Sequence, residues 1–320
     1  MKRRVVITGL GIVSPIGNDR DEVWDSVTAG RCGIGPITRY DPAEQKVKLA
    51  GEVKRSLAEL RTYEGMPKPE VEGCVPTVQV VEQDSVAAVL ERGRGIASAC
   101  DLAVLDFASF TEPGGAYDRG AWAQEEALCA ESTLFNVLRE QKSWYAQNRR
   151  RNINCELYRN RGMVVPKVRF ERDGYHSYAD VIVVAAPNAR RARENYRIAD
   201  DTLVAAMRDR IRFVMAIADD LGHKKLVLGA YGCGTFGWDA SVVAELFREE
   251  LASGRHVAEQ VVFAVPRERF NENLARFEHA FAAFPEANDA PYVKPAARPK
   301  VEVKRQEEDD EEEEDWRKYL

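Results

Sequence analysis

The 320-residue sequence has no apolar run of the roughly eighteen residues needed to cross a bilayer. Its opening Met1-Lys2-Arg3-Arg4 leads only into a short β-rich run, without the apolar core of a signal peptide. These absences set the expectation of a soluble, cytoplasmic protein with no membrane contact. No C-x-x-C pair occurs: the six cysteines, Cys32, Cys74, Cys100, Cys129, Cys155 and Cys233, stand singly, and His176, His223, His256 and His279 form no ligand cluster with them. Free thiols are expected, a structural metal is not, and no motif calls for a cofactor.

Positive charge is short overall, with a net −6, but residues 307–315 are nine consecutive acids, so the remainder carries −6 + 9 = +3. The acidic balance therefore describes the tail and not the domain. Residues 285–306 mix proline, alanine and charge without an apolar period and read as a linker. Together, residues 285–320 are expected to be a disordered acidic tail; the other reading is a docking peptide for a basic partner, ending in Trp316 and Tyr319. With 45% hydrophobic and 31% charged residues, the chain can bury one sizeable core.

Buried strands are predicted at 77–81, 102–105, 181–184, 226–228 and 261–265, where short β-rich apolar runs are bounded by polar segments. Between them, three- and four-residue apolar spacing predicts helices over 201–221, with Asp201 or Thr202 as cap, over 124–140, and near 240–253 and 270–284. Strands alternating with helices imply an α/β sandwich with both sheet faces covered. The arginine-rich stretch 145–178 reads as surface loops with a short hairpin around 164–170. Arg149-Arg150-Arg151 and Arg190, Arg191 and Arg193 carry no interleaved aromatics and read as solvated faces, so no direct nucleic-acid contact is expected.

The chemistry concentrates in Pro113-Gly114-Gly115-Ala116, followed by Gln124-Glu125-Glu126 at a helix start, and in Gly232-Cys233-Gly234-Thr235-Phe236 after a buried strand. Glycine turns bring backbone N–H groups close to a ligand, which suits a diphosphate held without basic side chains. Adjacent helical residues point about 100° apart, so Glu125 and Glu126 must divide their work. Near the N-terminus, Gly9 and Gly11 suggest a dinucleotide fingerprint, but its third glycine would fall on Ser14, which argues against one.

Two resemblances follow. The run Val5-Val6-Ile7-Thr8-Gly9-Leu10-Gly11-Ile12-Val13-Ser14-Pro15-Ile16-Gly17-Asn18, the Trp24 helix and the Arg39-Tyr40-Asp41-Pro42 region resemble the start of a β-ketoacyl-acyl carrier protein synthase. That likeness stops near Lys54, before any of the family's catalytic residues, so residues 1–54 are expected to be an appended fragment without condensing activity, unstructured or adding Val5-Val6-Ile7 to a sheet edge.

Beyond residue 59, Leu105-Asp106-Phe107-Ala108-Ser109, Gly114-Gly115-Ala116, Gln124-Glu125-Glu126, Ala185-Ala186-Pro187-Asn188-Ala189 and Gly232-Cys233-Gly234-Thr235-Phe236 resemble the bacterial-type poly(ADP-ribose) glycohydrolases. This resemblance implies a macrodomain-like α/β/α three-layer sandwich with a mixed sheet over residues 59–284. It implies a hydrolase acting on poly(ADP-ribose) or ADP-ribosylated proteins. Glu126, its pKa raised by partial burial beneath the ligand, would be the general acid/base and Glu125 would orient the sugar. Asp106, Gly114, Gly115, Ala116, Gln124, Asn188, Gly232, Cys233, Gly234, Thr235 and Phe236 would bind substrate. Two positions depart from the family pattern. Ala116 stands where a third glycine, expected at positive φ, belongs, and Asp106 stands where asparagine donates a hydrogen bond. A catalytically weak ADP-ribose reader is the alternative they imply, and a scaffold working through its acidic tail is a third.

Overall fold

In the computed structural model, residues 14–17, 20–36, 48–50, 60–268 and 271–294 are described. The expected strand at Val5-Val6-Ile7 and the acidic run 307–315 lie outside them. The N-terminal segment contributes helix α1 (Arg20–Thr28), which carries Trp24, and a two-residue antiparallel pairing of β1 (Gly35–Pro36) with β2 (Leu49–Ala50).

A seven-stranded mixed sheet organises the rest. Its strands are β3 (Arg61–Glu64), β4 (Thr77–Val81), β5 (Leu102–Phe107), β6 (Arg161–Arg172), β7 (Tyr175–Val184), β8 (Lys225–Leu228) and β9 (Gln260–Ala264), in the spatial order β3-β6-β7-β5-β8-β9-β4. The run β7-β5-β8-β9-β4 is parallel, and β6 closes on β7, and β3 on β6, antiparallel.

Side chains of β5 alternate between two apolar layers. Ala103 and Leu105 pack with α7 (Asp200–Leu221), α8 (Ala240–Ala252) and α9 (Asn273–Phe281). Leu102 and Val104 pack with α2 (Ser85–Arg92), α3 (Gln124–Ala130) and α4 (Leu134–Leu138). The period of two sends alternate residues to opposite faces, and both faces are covered, giving the α/β/α sandwich.

Three sequence expectations change. The predicted helix 124–140 is two helices: Glu131 caps α3, and Ser132 Oγ takes the Leu134 N–H before α4 begins. Of residues 145–178, only 152–160 and the hairpin turn are loop. The stretch holds the end of α5 (Lys142–Arg151) and most of a long β6–β7 hairpin, turning at Asp173 and Gly174, both at positive φ. The alternating burial along β6 is blurred by its arginines, one of which, Arg161, is buried over the Trp144 ring. Helix α7 starts at Asp200 with Ala199 as N-cap and no side-chain cap, instead of Asp201 or Thr202.

Helices α7 and α8 are joined by a buried ionic centre. His256 Nδ1 meets Asp219 Oδ2 at 2.7 Å, its Nε2 meets Glu250 Oε1 at 3.1 Å, and Arg212 and Arg255 donate to Glu250. Burial opposes charge on this imidazole, but the two carboxylates outweigh it and raise its pKa to about 9. Because the folded value lies above the unfolded one near 6.5, the stabilisation is complete below about pH 6.5 and is lost as pH rises through 9. Thermal unfolding followed across pH 6–10 should show that fall, and His256→Gln should flatten it.

Candidate active site

Residues lining a pocket of about 420 Å³ come from the C-terminal ends of the parallel strands, where open α/β sheets place ligands. Phe107 ends β5 and Ser109 follows it, Ala186 follows β7, Ala230 to Gly232 and Gly234 to Phe236 follow β8, and Val265 and Pro266 follow β9. The first turn of α3 supplies Glu125 and Glu126. A smaller cleft of about 300 Å³, bordered by Asn160, Asp209 and Arg210, holds none of these groups.

Both glutamates are held by backbone donors. Ala116 N–H donates to Glu126 Oε1 at 3.0 Å and Ser109 N–H to Glu125 Oε2 at 2.7 Å. Gly115 lets the turn come this close. At φ +65°, a Cβ there would overlap Glu126 Oε1 and sit 3.0 Å from Glu125 Oε2. Gly114, also at positive φ, supports the turn from below: its Cβ would strike Phe135 at 2.7 Å, and Gly114 does not line the pocket.

Gln124 lines the pocket, and its side-chain amide is engaged with the scaffold. Its Oε1 accepts from Phe107 N–H at 2.9 Å, and its Nε2 donates to Leu105 O at 2.9 Å and Ser85 Oγ at 3.1 Å. The side chain thus bolts α3 to the end of β5 and fixes the height of both glutamates. Arg172 steadies the same region, pairing with Asp84, the N-cap of α2, at 2.9 Å and with Glu131 at the end of α3.

Beneath the glutamates lies an electrostatic well of one sign. Asp106 is fully buried, and both its oxygens lack a hydrogen-bond partner among the described residues. Burial first, and the Glu126 carboxylate second, push its pKa well above the carboxylate range. Glu125 is raised in the same direction by burial and then by Asp106, against the opposing bond from Ser109. Burial thus favours the uncharged form of both groups, because isolated charge is costly there. Asp106 is not among the residues lining the pocket. Protonated, it can donate a hydrogen bond as asparagine would.

The loop after β8 is anchored at both ends. Tyr231 OH donates to Val184 O at 2.8 Å and Trp238 Nε1 to Pro187 O at 2.7 Å. Between these anchors, Gly232, Gly234, Thr235 and Phe236 line the pocket, and their N–H groups have no protein acceptor among the described residues. A Cβ on Gly234 would meet nothing within 4 Å, so the space above it is open to a ligand. Phe236 packs edge-on against Tyr158 with ring centres 6.4 Å apart, and Tyr158 stacks on Phe110 at 4.3 Å.

Besides Asp106 and Gly114, three more predicted residues stand outside this pocket. Asn188 caps α6 (Ala189–Tyr196), its Oδ1 accepting from Arg191 N–H at 3.0 Å. Cys233 is turned inward, where burial raises its thiol pKa. Ala116 is not among the lining residues and serves through its N–H. Its φ of −118° is ordinary for alanine, so a third glycine is not required. Sequence reasoning missed the Gln124 anchor, the Ser85 and Ser109 contacts, Tyr231 and Trp238. Only Tyr231 and Trp238 carried a signal, as aromatics flanking the glycine loop.

No Lys or Arg lines the pocket among the described residues, whereas Asp84, Glu125, Glu126 and Glu268 do. An anionic ligand there must be held by backbone amides. The family described as microbial-type PARG (poly(ADP-ribose) glycohydrolase), catalytic domain, matches residues 37–173. The poly(ADP-ribose) glycohydrolase of Deinococcus radiodurans, solved in complex with ADP-ribose, is 32% identical, covers 64% of this chain and 84% of its own, and superposes with a TM-score of 0.57. The chain belongs to the bacterial-type poly(ADP-ribose) glycohydrolase family.

Another member, from Thermomonospora curvata, is 30% identical over 80% of this chain and 96% of its own, with a TM-score of 0.59. A separate likeness links 53 residues to 3-oxoacyl-acyl-carrier-protein synthase 2 of Synechocystis at 53% identity. That match spans 17% of this chain and only 13% of the length of that curated relative. The glycohydrolase match begins at residue 37, so it reaches further toward the N-terminus than the expected boundary at 59.

Proposed function

We propose that this chain hydrolyses the ribose glycosidic bond of poly(ADP-ribose) or of protein-linked ADP-ribose, with Glu126 as general acid/base. The observation that carries this reading is Glu126 itself. It lies at the pocket with one oxygen fixed by Ala116 N–H, while Oε2 takes no hydrogen bond from the described residues, and the amides of Gly234, Thr235 and Phe236 line the same space.

The diphosphate rests on those amides and sets the distal ribose against Glu126. As the bond from C1 to the departing oxygen breaks and an oxocarbenium-like centre develops, Glu126 delivers a proton to that oxygen. The resulting carboxylate takes a proton from the water that attacks C1, which restores Glu126 and leaves a hydroxyl on the released ADP-ribose. Glu125, its pKa raised by burial, positions the sugar.

The geometry of Ala116 speaks against one of the two departures behind a weak reader, since its φ does not call for glycine; the other, Asp106, stands. The working unit in this reading is the domain within residues 59–284, and residues 1–54 are an appended synthase-like fragment that takes no part in the reaction. Incubating the full chain with labelled poly(ADP-ribose) tests the proposal. Release of ADP-ribose supports it, and tight ADP-ribose binding without release would return the protein to a reader.

Gly234 offers a second check. With open space above it, Gly234→Val should fold with unchanged thermal stability yet lose ADP-ribose affinity by about 10-fold or more, measured by calorimetry. Unaltered affinity would place the diphosphate elsewhere.

A further inference from the structure

Trp122 is 75% exposed and lines the same pocket as Glu125 and Glu126. No step of the proposed hydrolysis involves this side chain. An indole left in water forgoes the burial that an aromatic side chain of this size normally finds. The other rings at the pocket are engaged: Phe107 leans on Tyr231 at 5.6 Å, and Phe236 packs on Tyr158. Trp122 is the one lining ring without an aromatic partner among the described residues.

Its backbone is nevertheless firmly placed. The loop ahead of it is closed by Arg119 N–H to Ala116 O at 3.0 Å and Ala121 N–H to Ala116 O at 3.2 Å, with Gly120 in the left-handed region at φ +77°. Immediately after it, Ala123 O begins the α3 hydrogen-bond ladder by accepting from Ala127 N–H. The ring is thus presented to the pocket from a closed loop. The same pocket is edged by Asn273, whose side-chain amide can pair with the polar rim of a purine, and by Asn271, whose Nδ2 donates to Glu268 Oε2 at 2.6 Å.

From this arrangement we infer that Trp122 is a base-recognition residue, its indole stacking on an adenine of the substrate. The inference rests on the proposed function, which supplies an adenine-bearing ligand and leaves its base without an assigned partner. The base belongs either to the unit being cleaved or to its neighbour along the polymer. Stacking suits both, because it reads a π face and not a sequence.

The test compares the full chain with Trp122→Ala and Trp122→Phe, exposed-site changes that leave the fold intact. Calorimetry gives the ADP-ribose affinity, and steady-state kinetics on poly(ADP-ribose) give kcat and KM. For the base of the cleaved unit, Trp122→Ala should weaken ADP-ribose binding roughly 5- to 100-fold, with kcat little altered and most of the loss recovered by phenylalanine. A rise confined to the polymer KM, again rescued by phenylalanine, supports stacking on the neighbouring unit. If the wild type binds and cleaves while both variants match it, the stacking role is overturned. A wild type that neither binds nor cleaves overturns the reading of the whole site, and Trp122 with it.

Discussion

Glu126→Gln lowers the turnover of poly(ADP-ribose) by about 10²- to 10⁴-fold, the range expected for loss of a general acid/base, and leaves ADP-ribose affinity nearly unchanged. Glutamine is close to isosteric with glutamate. Its amide oxygen still accepts the Ala116 N–H that holds Glu126 Oε1 at 3.0 Å, so the turn and α3 keep their relation. What disappears is a proton that can be given and taken back. Glu125→Gln makes the contrast. Burial first, and the neighbouring Asp106 second, already raise that carboxyl's pKa, and a glutamine keeps the acceptor for Ser109 N–H. Its effect on kcat should be at least ten times smaller, and single-turnover kinetics on both variants would separate the roles. Equal losses would mean that the two glutamates share the proton.

Gly115→Ala should be nearly as damaging by a different route. At φ +65°, the added Cβ carries the left-handed penalty of roughly 1–2 kcal/mol, and it would also sit on Glu126 Oε1 and 3.0 Å from Glu125 Oε2. Both carboxyls must move, and misplacement by about 1 Å is worth around 100-fold in rate. We expect a kcat loss of that order together with a lower unfolding temperature. Ala116→Gly is the paired control. With Ala116 at φ −118°, glycine gains no geometry, so it should raise neither turnover nor stability. A gain from Ala116→Gly would restore the argument that this turn is impaired.

These contrasts show which features of the site were legible in the residues and which were not. The glycine turn, the two glutamates and the loop after β8 were readable because each is contiguous and its chemistry is local. Gln124 was not, since its three partners, Ser85, Leu105 and Phe107, lie on two elements that meet only through the sheet. The surroundings of Asp106 were hidden for a related reason. Its position in β5 was clear, but the pleat sends its side chain to the interior, and the raised pKa follows from surroundings that only the fold assembles. Asn188 followed a strand like the binding loops, yet its side chain is committed to the first turn of α6. The sheet order was equally hidden, because β3 and β6 join a parallel core through an antiparallel hairpin whose arginine-rich strand carries little alternation.

A crystal structure of Glu126→Gln with ADP-ribose bound tests the central claim most directly. The account predicts diphosphate oxygens within hydrogen-bond distance of the Gly234, Thr235 and Phe236 amides and the anomeric carbon of the distal ribose facing residue 126. ADP-ribose bound with that carbon turned away from residue 126, or with its diphosphate off the amide loop, would contradict it.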